Sequence, residues 1–144
     1  MLATREETAA HLRANGLRAT GSRIAIYRAV CEIEGGHPSV GQVVERVRAE
    51  TGSASTQAVY DGLQALTGAG LLRRIEPAGS PARYESRVGD NHHHVVCRSC
   101  GMTRDVDCAN EMAPCLDPAD AAGFEIDEAE ITFWGLCPAC AKKS

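Results

Sequence analysis

Aromatic residues are scarce, with one Trp, three Tyr and two Phe among 144 residues, so Ala, Val, Leu and Ile must build the core. Lysine is nearly missing too, two against 13 arginines, and positive charge therefore rests on guanidinium groups. No stretch approaches the roughly 18 apolar residues of a membrane span, and the N-terminus lacks a charged-then-apolar signal pattern. A cytoplasmic protein with no membrane partner is expected. In that reducing compartment seven cysteines do not suggest a disulfide framework, and an odd number cannot all pair within one chain. Metal binding is the better default. Repeats and low-complexity tracts are also absent, and the length suits one globular unit or two small modules.

The charge that is present is unevenly placed. Residues 1–85 carry 10 basic and 9 acidic side chains, whereas residues 86–144 carry 5 and 10, giving +1 and −5 and the overall −4. Five arginines stand in the first 28 residues (Arg5, Arg13, Arg18, Arg23, Arg28) against two glutamates. A protein that touches a polyanion with one end only would look like this, although a solvated basic face would as well.

The first half has the periodicity of helices. Leu2, Ala9 and Leu12 mark a short helix that stops at Asn15-Gly16. Thr20 can cap a second helix with Ile24, Tyr27 and Val30 on its apolar face. His37-Pro38-Ser39 interrupts, and Ser39 with Gln42 forms a capping-box pair ahead of Val40, Val43, Val44 and Val47. Ser55 opens a fourth helix, with Val59, Leu63 and Leu66 aligned, that ends at Gly68 and Gly70. Residues 71–76 and 82–85 then suggest two strands joined by the turn at 77–81. Helices followed by a hairpin outline a winged helix-turn-helix with residues 55–68 as the reading helix. Beyond a hinge at 87–90, strands are expected near 92–97, 102–107 and 125–136, with a helix inside 109–122. The fold class expected is α+β, with a DNA-binding domain at 1–86 and an α/β dimerisation and metal-binding domain at 87–144. An edge strand in so small a module suggests pairing with a second copy, hence a homodimer.

Cys97-Arg-Ser-Cys100 and Cys137-Pro-Ala-Cys140 are two C-x-x-C pairs separated by 36 residues. Each follows an expected strand, so four thiolates can converge on one tetrahedral zinc, a closed shell that supplies folding free energy. The rival is a thioredoxin-like redox pair, disfavoured because neither pair is expected to open a helix in a βαβ unit. Cys31 is most simply a small core residue, and Cys108 and Cys115 have no partner spacing.

Asp90-Asn91-His92-His93-His94 is the densest cluster of metal-binding side chains. On a strand His92 and His94 share one face and His93 takes the other. With His37, Glu85 and Asp105 they would make a mixed nitrogen and carboxylate shell suited to Fe(II), Mn(II), Co(II) or Ni(II). A solvated histidine run is the plain alternative. If His37 and Glu85 meet His92 and His94, metal fixes the angle between the halves, which is a switch.

Taken in order, these segments resemble the ferric uptake regulator family over nearly the whole chain. The resemblance is carried by Gly16-Leu-Arg-Ala-Thr-Gly-Ser-Arg23, His37-Pro38-Ser39, Ala58-Val-Tyr60, Gly70-Leu71, Arg83-Tyr84, His92-His-His-Val-Val-Cys97, Cys100-Gly101 and Cys137-x-x-Cys140. Within the family it is similar to the peroxide-responsive actinobacterial repressors linked to catalase, and the arginine-rich usage agrees with a GC-rich genome. The resemblance implies structural zinc at Cys97, Cys100, Cys137 and Cys140 and a regulatory ion at His37, Glu85, His92, His94 and Asp105. That ion would be Fe(II), with Mn(II), Ni(II) or Zn(II) as alternatives. It implies peroxide sensing by iron-catalysed oxidation of His37 or His92, with iron, zinc or nickel homeostasis as the alternative. Asp105 sides with the peroxide branch, whereas Glu85 stands where those sensors usually carry Asp, and the stretch from Glu85 to His92 is one residue longer than in them. Asn91 and His93 replace the pattern of a further acidic-histidine site.

The dimer implied would place two reading helices in successive major grooves of a palindromic, AT-rich operator. Tyr60 would lie on thymine methyls and Gln57 on an adenine edge, while Arg18, Thr20, Arg23 and Ser55 would anchor phosphates. The family usually has Arg after the tyrosine; Asp61 stands there instead and either turns aside or accepts from a cytosine amine. No catalytic residue is expected. A thiol-disulfide enzyme or a metal-storage protein are the rival classes, and neither needs a winged helix.

Overall fold

Each of the first four helices begins on a hydroxyl that stands just ahead of it. Thr4 accepts from Glu7 N at 3.1 Å and opens α1 (Arg5–Ala14). Thr20 accepts from Arg23 N at 3.1 Å and opens α2 (Gly21–Glu32). Ser39 and Gln42 satisfy each other's backbone N–H groups, at 3.3 and 2.9 Å, at the start of α3 (Val40–Thr51). Ser55 accepts from Ala58 N at 3.0 Å and opens α4 (Thr56–Gly68). Such caps contribute about 1 kcal/mol each by occupying N–H groups that no helical carbonyl can reach. α3 ends where Gly52 takes φ of +83°, a conformation that side chains resist.

The structure is a computed structural model, described for residues 4–88, 92–107, 118–126 and 129–143. The chain divides into two compact units, Met1–Val88 and Gly89–Ser144. No helix among the described residues is long and apolar enough to cross a membrane.

In the first unit Leu12, Ile26, Val30, Val43, Val59, Leu63 and Leu66 are fully buried, one face from each helix. Truncating Leu63 to Ala would cost about 2–5 kcal/mol through the cavity it leaves. Gly62 faces the same core, and a Cβ there would run into Ile26 Cδ1, so the bare Cα lets α4 lie close against α2. The wing is β1 (Arg73–Ile75) paired antiparallel with β2 (Arg83–Glu85), Arg73 opposite Glu85. β1 is shorter than the expected 71–76. Leu71 and Leu72 are buried, and their N–H groups donate to Leu66 O, closing the end of α4 instead of entering the strand.

The second unit has a three-stranded sheet in the order β4-β3-β5. β3 (His92–Cys97) is central, antiparallel to β4 (Thr103–Asp107) and parallel to β5 (Thr132–Gly135). Among the described residues of the strand expected over 125–136, only Thr132–Gly135 pairs with β3, opposite His94–Cys97, and just ahead of it Ile131 N donates to the His93 ring. The helix expected inside 109–122 falls largely on residues outside those described, as do Cys108, Cys115, Leu2 and the end of the hinge; residues 118–122 are not helical. A one-turn helix, α5 (Pro138–Ala141), corrects one expectation: Cys137 caps it, and Pro138 supplies a preset helical φ in its first turn. The second C-x-x-C pair does open a helical turn, but not one joining two strands.

Candidate metal centres and nucleic-acid face

The turn after β3 and the capped turn of α5 bring four sulfurs together. The Sγ atoms of Cys97, Cys100, Cys137 and Cys140 lie within 4.8 Å of one another, and Cys100 and Cys137 are 3.8 Å apart. A tetrahedron with metal–sulfur bonds of about 2.3 Å has edges of about 3.8 Å. Backbone N–H groups already point at the sulfurs: Cys100 N and Cys137 N donate to Cys97 Sγ at 3.5 and 3.4 Å, and Cys140 N to Cys137 Sγ at 3.5 Å. The Cys100 N–H, then that of Cys137, draws the Cys97 thiol down to about 6, from an ordinary value of 9.0. The Cys140 N–H lowers Cys137 likewise. Cys140, facing the Cys137 thiol first of all, is pushed up to about 12. The cluster therefore favours thiolate where backbone dipoles converge and needs a cation to hold Cys140 as an anion. A four-coordinate soft ion fits this donor set.

The histidine and carboxylate side chains form one group in each unit. In the first, the His37 loop is tied to the wing: Arg83 Nη1 donates to His37 O at 3.0 Å, and Tyr84 N to Pro38 O at 2.9 Å. Ser39 bridges to Arg83 across the same seam. This sets Glu85, the last residue of β2, against His37, with Oε2 3.1 Å from Nε2. His37 Nδ1 lies 2.8 Å from Gly35 O, and since a carbonyl only accepts, Nδ1 carries the hydrogen. Nε2 is then the ring nitrogen turned toward the carboxylate, and the one a neutral ring would offer to a metal.

In the second unit the β3–β4 register places Asp105 opposite His94. Its Oδ1 lies 3.3 Å from His92 Nε2 and 3.4 Å from His94 Nε2, and the two rings stand edge to face with centroids 4.9 Å apart. Two imidazole nitrogens thus face one carboxylate oxygen. His93 points to the opposite face, where its Nδ1 accepts from Ile131 N at 3.2 Å and joins β3 to the approach of β5. Its buried Nε2 has no hydrogen-bond partner among the described residues. Sequence reasoning had no role for His93, because the tie to Ile131 spans 38 positions.

On α4 the buried side chains are Val59, Leu63 and Leu66. Gln57, Tyr60, Asp61 and Gln64 form an exposed stripe on the other face. The Ser55 and Thr20 hydroxyls spend a lone pair on their caps and keep their hydrogens for an outside acceptor. Arg23 Nη1 donates to Arg18 O at 3.2 Å, so the two arginines stand together at the start of α2. Cys31 is half-buried; burial raises its thiol, which also faces Tyr27 and Ser86, and it has no part in either metal group.

A winged helix-turn-helix with a polar reading face, joined to a module bearing metal-binding side chains, defines a class: metal-responsive DNA-binding regulators. Residues 14–134 match the model of the ferric uptake regulator family. The transcriptional regulator FurA of Mycobacterium tuberculosis is 54% identical over 133 residues, covering 92% of this chain and 89% of that one. Ferric uptake regulation protein 1 of Mycolicibacterium fortuitum is 57% identical over 123 residues, 85% of this chain and 75% of its own. The Helicobacter pylori ferric uptake regulator shares the fold, with a TM-score of 0.73 at 20% identity over 97% of this chain and 95% of that one. The chain belongs to the ferric uptake regulator family. It is accordingly a transcriptional regulator and not an enzyme.

Proposed function

We propose that this regulator is a cytoplasmic, homodimeric repressor that binds a palindromic operator when loaded with a regulatory divalent ion and releases it on meeting peroxide. The observation that carries the reading is the His37–Glu85 contact at 3.1 Å, built by the wing of the DNA-binding unit itself. The second unit presents His92, His94 and Asp105 as a matching set. An ion drawing on both sets ties the orientation of α4 to metal occupancy, and without it the two units are free to reorient. The Cys97, Cys100, Cys137 and Cys140 cluster holds a structural zinc, with its closed sulfur shell supporting the dimerisation module.

Tyr60 and Gln57 read base edges from the exposed stripe of α4, and Arg18, Thr20, Arg23 and Ser55 meet phosphates. Bound ferrous iron supplies one-electron chemistry toward peroxide. The chain's part is to hold oxidisable imidazoles, those of His37 and His92, beside that ion. Asp105 supports peroxide sensing, because the peroxide branch of the family carries aspartate there. Glu85, where that branch usually carries aspartate, favours a second reading, an iron, zinc or nickel homeostasis repressor.

Gel shift of a genomic operator library, with no ion and with Fe(II), Mn(II), Zn(II) or Ni(II), tests the proposal. Retarded DNA only with ion, released by peroxide in the Fe(II) sample alone, is the expected pattern. Ion-dependent binding that ignores peroxide selects the homeostasis reading. Metal uptake with no DNA binding under any condition would leave a storage protein.

A further inference from the structure

One polar contact on α4 goes beyond that reading. Gln57 Nε2 donates to Asp61 Oδ1 at 2.8 Å, one helical turn along, with both side chains exposed on the face that carries Tyr60. α4 has no basic residue, and Asp61 is its only charge. A carboxylate here opposes the approach of a polyanion, so its contribution must lie in what it does to its neighbour.

We propose that Asp61 is a positioning residue for base reading: it locks the Gln57 amide in the orientation that recognises adenine. An unconstrained glutamine amide presents either of two near-isosteric faces. An ionised carboxylate only accepts, so the flipped amide would set oxygen against oxygen, and the charge-assisted bond selects Nε2 toward Asp61. That bond uses one of the two Nε2 hydrogens. The other remains beside Oε1, and this donor next to an acceptor complements N7 and the N6 amine of adenine in the major groove. Guanine offers two acceptors at the same edge and would need both amide hydrogens, one of which Asp61 holds. The result is discrimination against guanine by a residue that touches no base.

This inference rests on α4 being the reader, and the test separates the two. Full-length, metal-loaded wild type, Gln57→Ala, Asp61→Ala, Asp61→Asn, Tyr60→Ala and the Gln57→Ala/Asp61→Ala double variant are each used to select duplexes from a pool with a randomised centre. The selected sites and single-pair variants are then titrated, with zinc content and Tm confirming the fold. Gln57→Ala marks the base pair that Gln57 reads. Asp61→Ala is expected to lose preference for adenine over guanine at that same pair by about tenfold, with affinity for random duplex equal or higher. The double variant should lose nothing further there, and Asp61→Asn, whose Oδ1 still accepts, should recover part of the preference. Asp61→Ala keeping the preference that Gln57→Ala loses, or losing it at a different pair, overturns the proposal. If Gln57→Ala and Tyr60→Ala both leave every base preference intact, α4 is not the reader and both ideas fall.

Discussion

His37 Nε2 stands 3.1 Å from Glu85 Oε2, and both residues are placed by the pairing of the His37 loop with the wing strand through Arg83. On the proposed reading, an ion bound by this buried pair acts on the DNA-binding unit that carries α4. His37→Ala and His94→Ala should each lower ion-dependent operator affinity by about 100-fold or more, leaving dimer and cysteine-bound zinc intact. Arg83→Ala, which only frees the His37 carbonyl, should weaken regulatory-ion affinity by about tenfold, as expected for groups that orient a metal ligand. Metal titration followed by fluorescence anisotropy on operator DNA measures both. Full ion-dependent binding in His37→Ala would remove the regulatory site from the DNA-binding unit.

Reading and anchoring should separate by salt. Tyr60→Ala removes a base contact and should lower affinity for operator but not for random duplex. Arg23→Ala should weaken both and reduce the slope of log affinity against log salt by about 1, for one lost phosphate contact. Equal effects of the two variants on operator and random DNA would displace α4 as the reader.

The local features were legible in the sequence and the long-range ones were not. Thr20, Ser55 and the Ser39–Gln42 pair announce helix starts because a cap is a bond between residues three apart. The four cysteines are legible for the same reason, each pair carrying its own turn. The length of β5 is not, since its pairing begins with Thr132 opposite His94, 38 positions earlier, and Ile131 ahead of it is held by the His93 side chain. The Arg83–His37 tie spans 46 positions, so the spacing of His37 and Glu85 gave no sign of the device that joins them. Gln57 and Asp61 are one turn apart, yet the sequence offered Asp61 only a side chain turned aside or a cytosine amine as partner, because the contact with Gln57 depends on rotamers.

Zinc uptake should be proton-linked in a way the cysteines dictate. Cys97, drawn down to about 6, has lost its proton at pH 7.5, whereas Cys140, pushed up to about 12, keeps its own. Calorimetry of zinc binding in buffers of differing ionisation enthalpy should count fewer than four released protons at pH 7.5. The count should rise toward about four as pH falls through 6, because Cys97 then enters protonated. The anionic Cys97 favours the folded metal-free form at high pH, and that contribution is lost as pH falls through about 6. Cys140→Ser should lose zinc and the dimer together; a zinc-loaded dimer of unchanged Tm would refute the structural role.

Peroxide should leave its mark on the face of β3 that carries Asp105. His92 and His94 both lie within 3.4 Å of Asp105 Oδ1, so an oxidant generated at an ion in that set meets imidazole before it diffuses away. His93, one residue along, is turned to the other face and bound to Ile131, which makes it an internal control within the same peptide. Micromolar peroxide should release operator from the Fe(II) protein and not from the Mn(II) protein, since only iron readily gives an oxidising species. Fragment-ion mass spectrometry should find a gain of about 16 Da, one oxygen, on His92 or His37, with His93 unmodified. Asp105→Glu lengthens the carboxylate arm and should blunt this oxidation more than it lowers metal affinity. Oxygen added at His93 as readily as at His92 would mean bulk oxidation of an accessible strand, and oxidation confined to Cys97 and Cys100 with intact histidines would make the protein a thiol sensor.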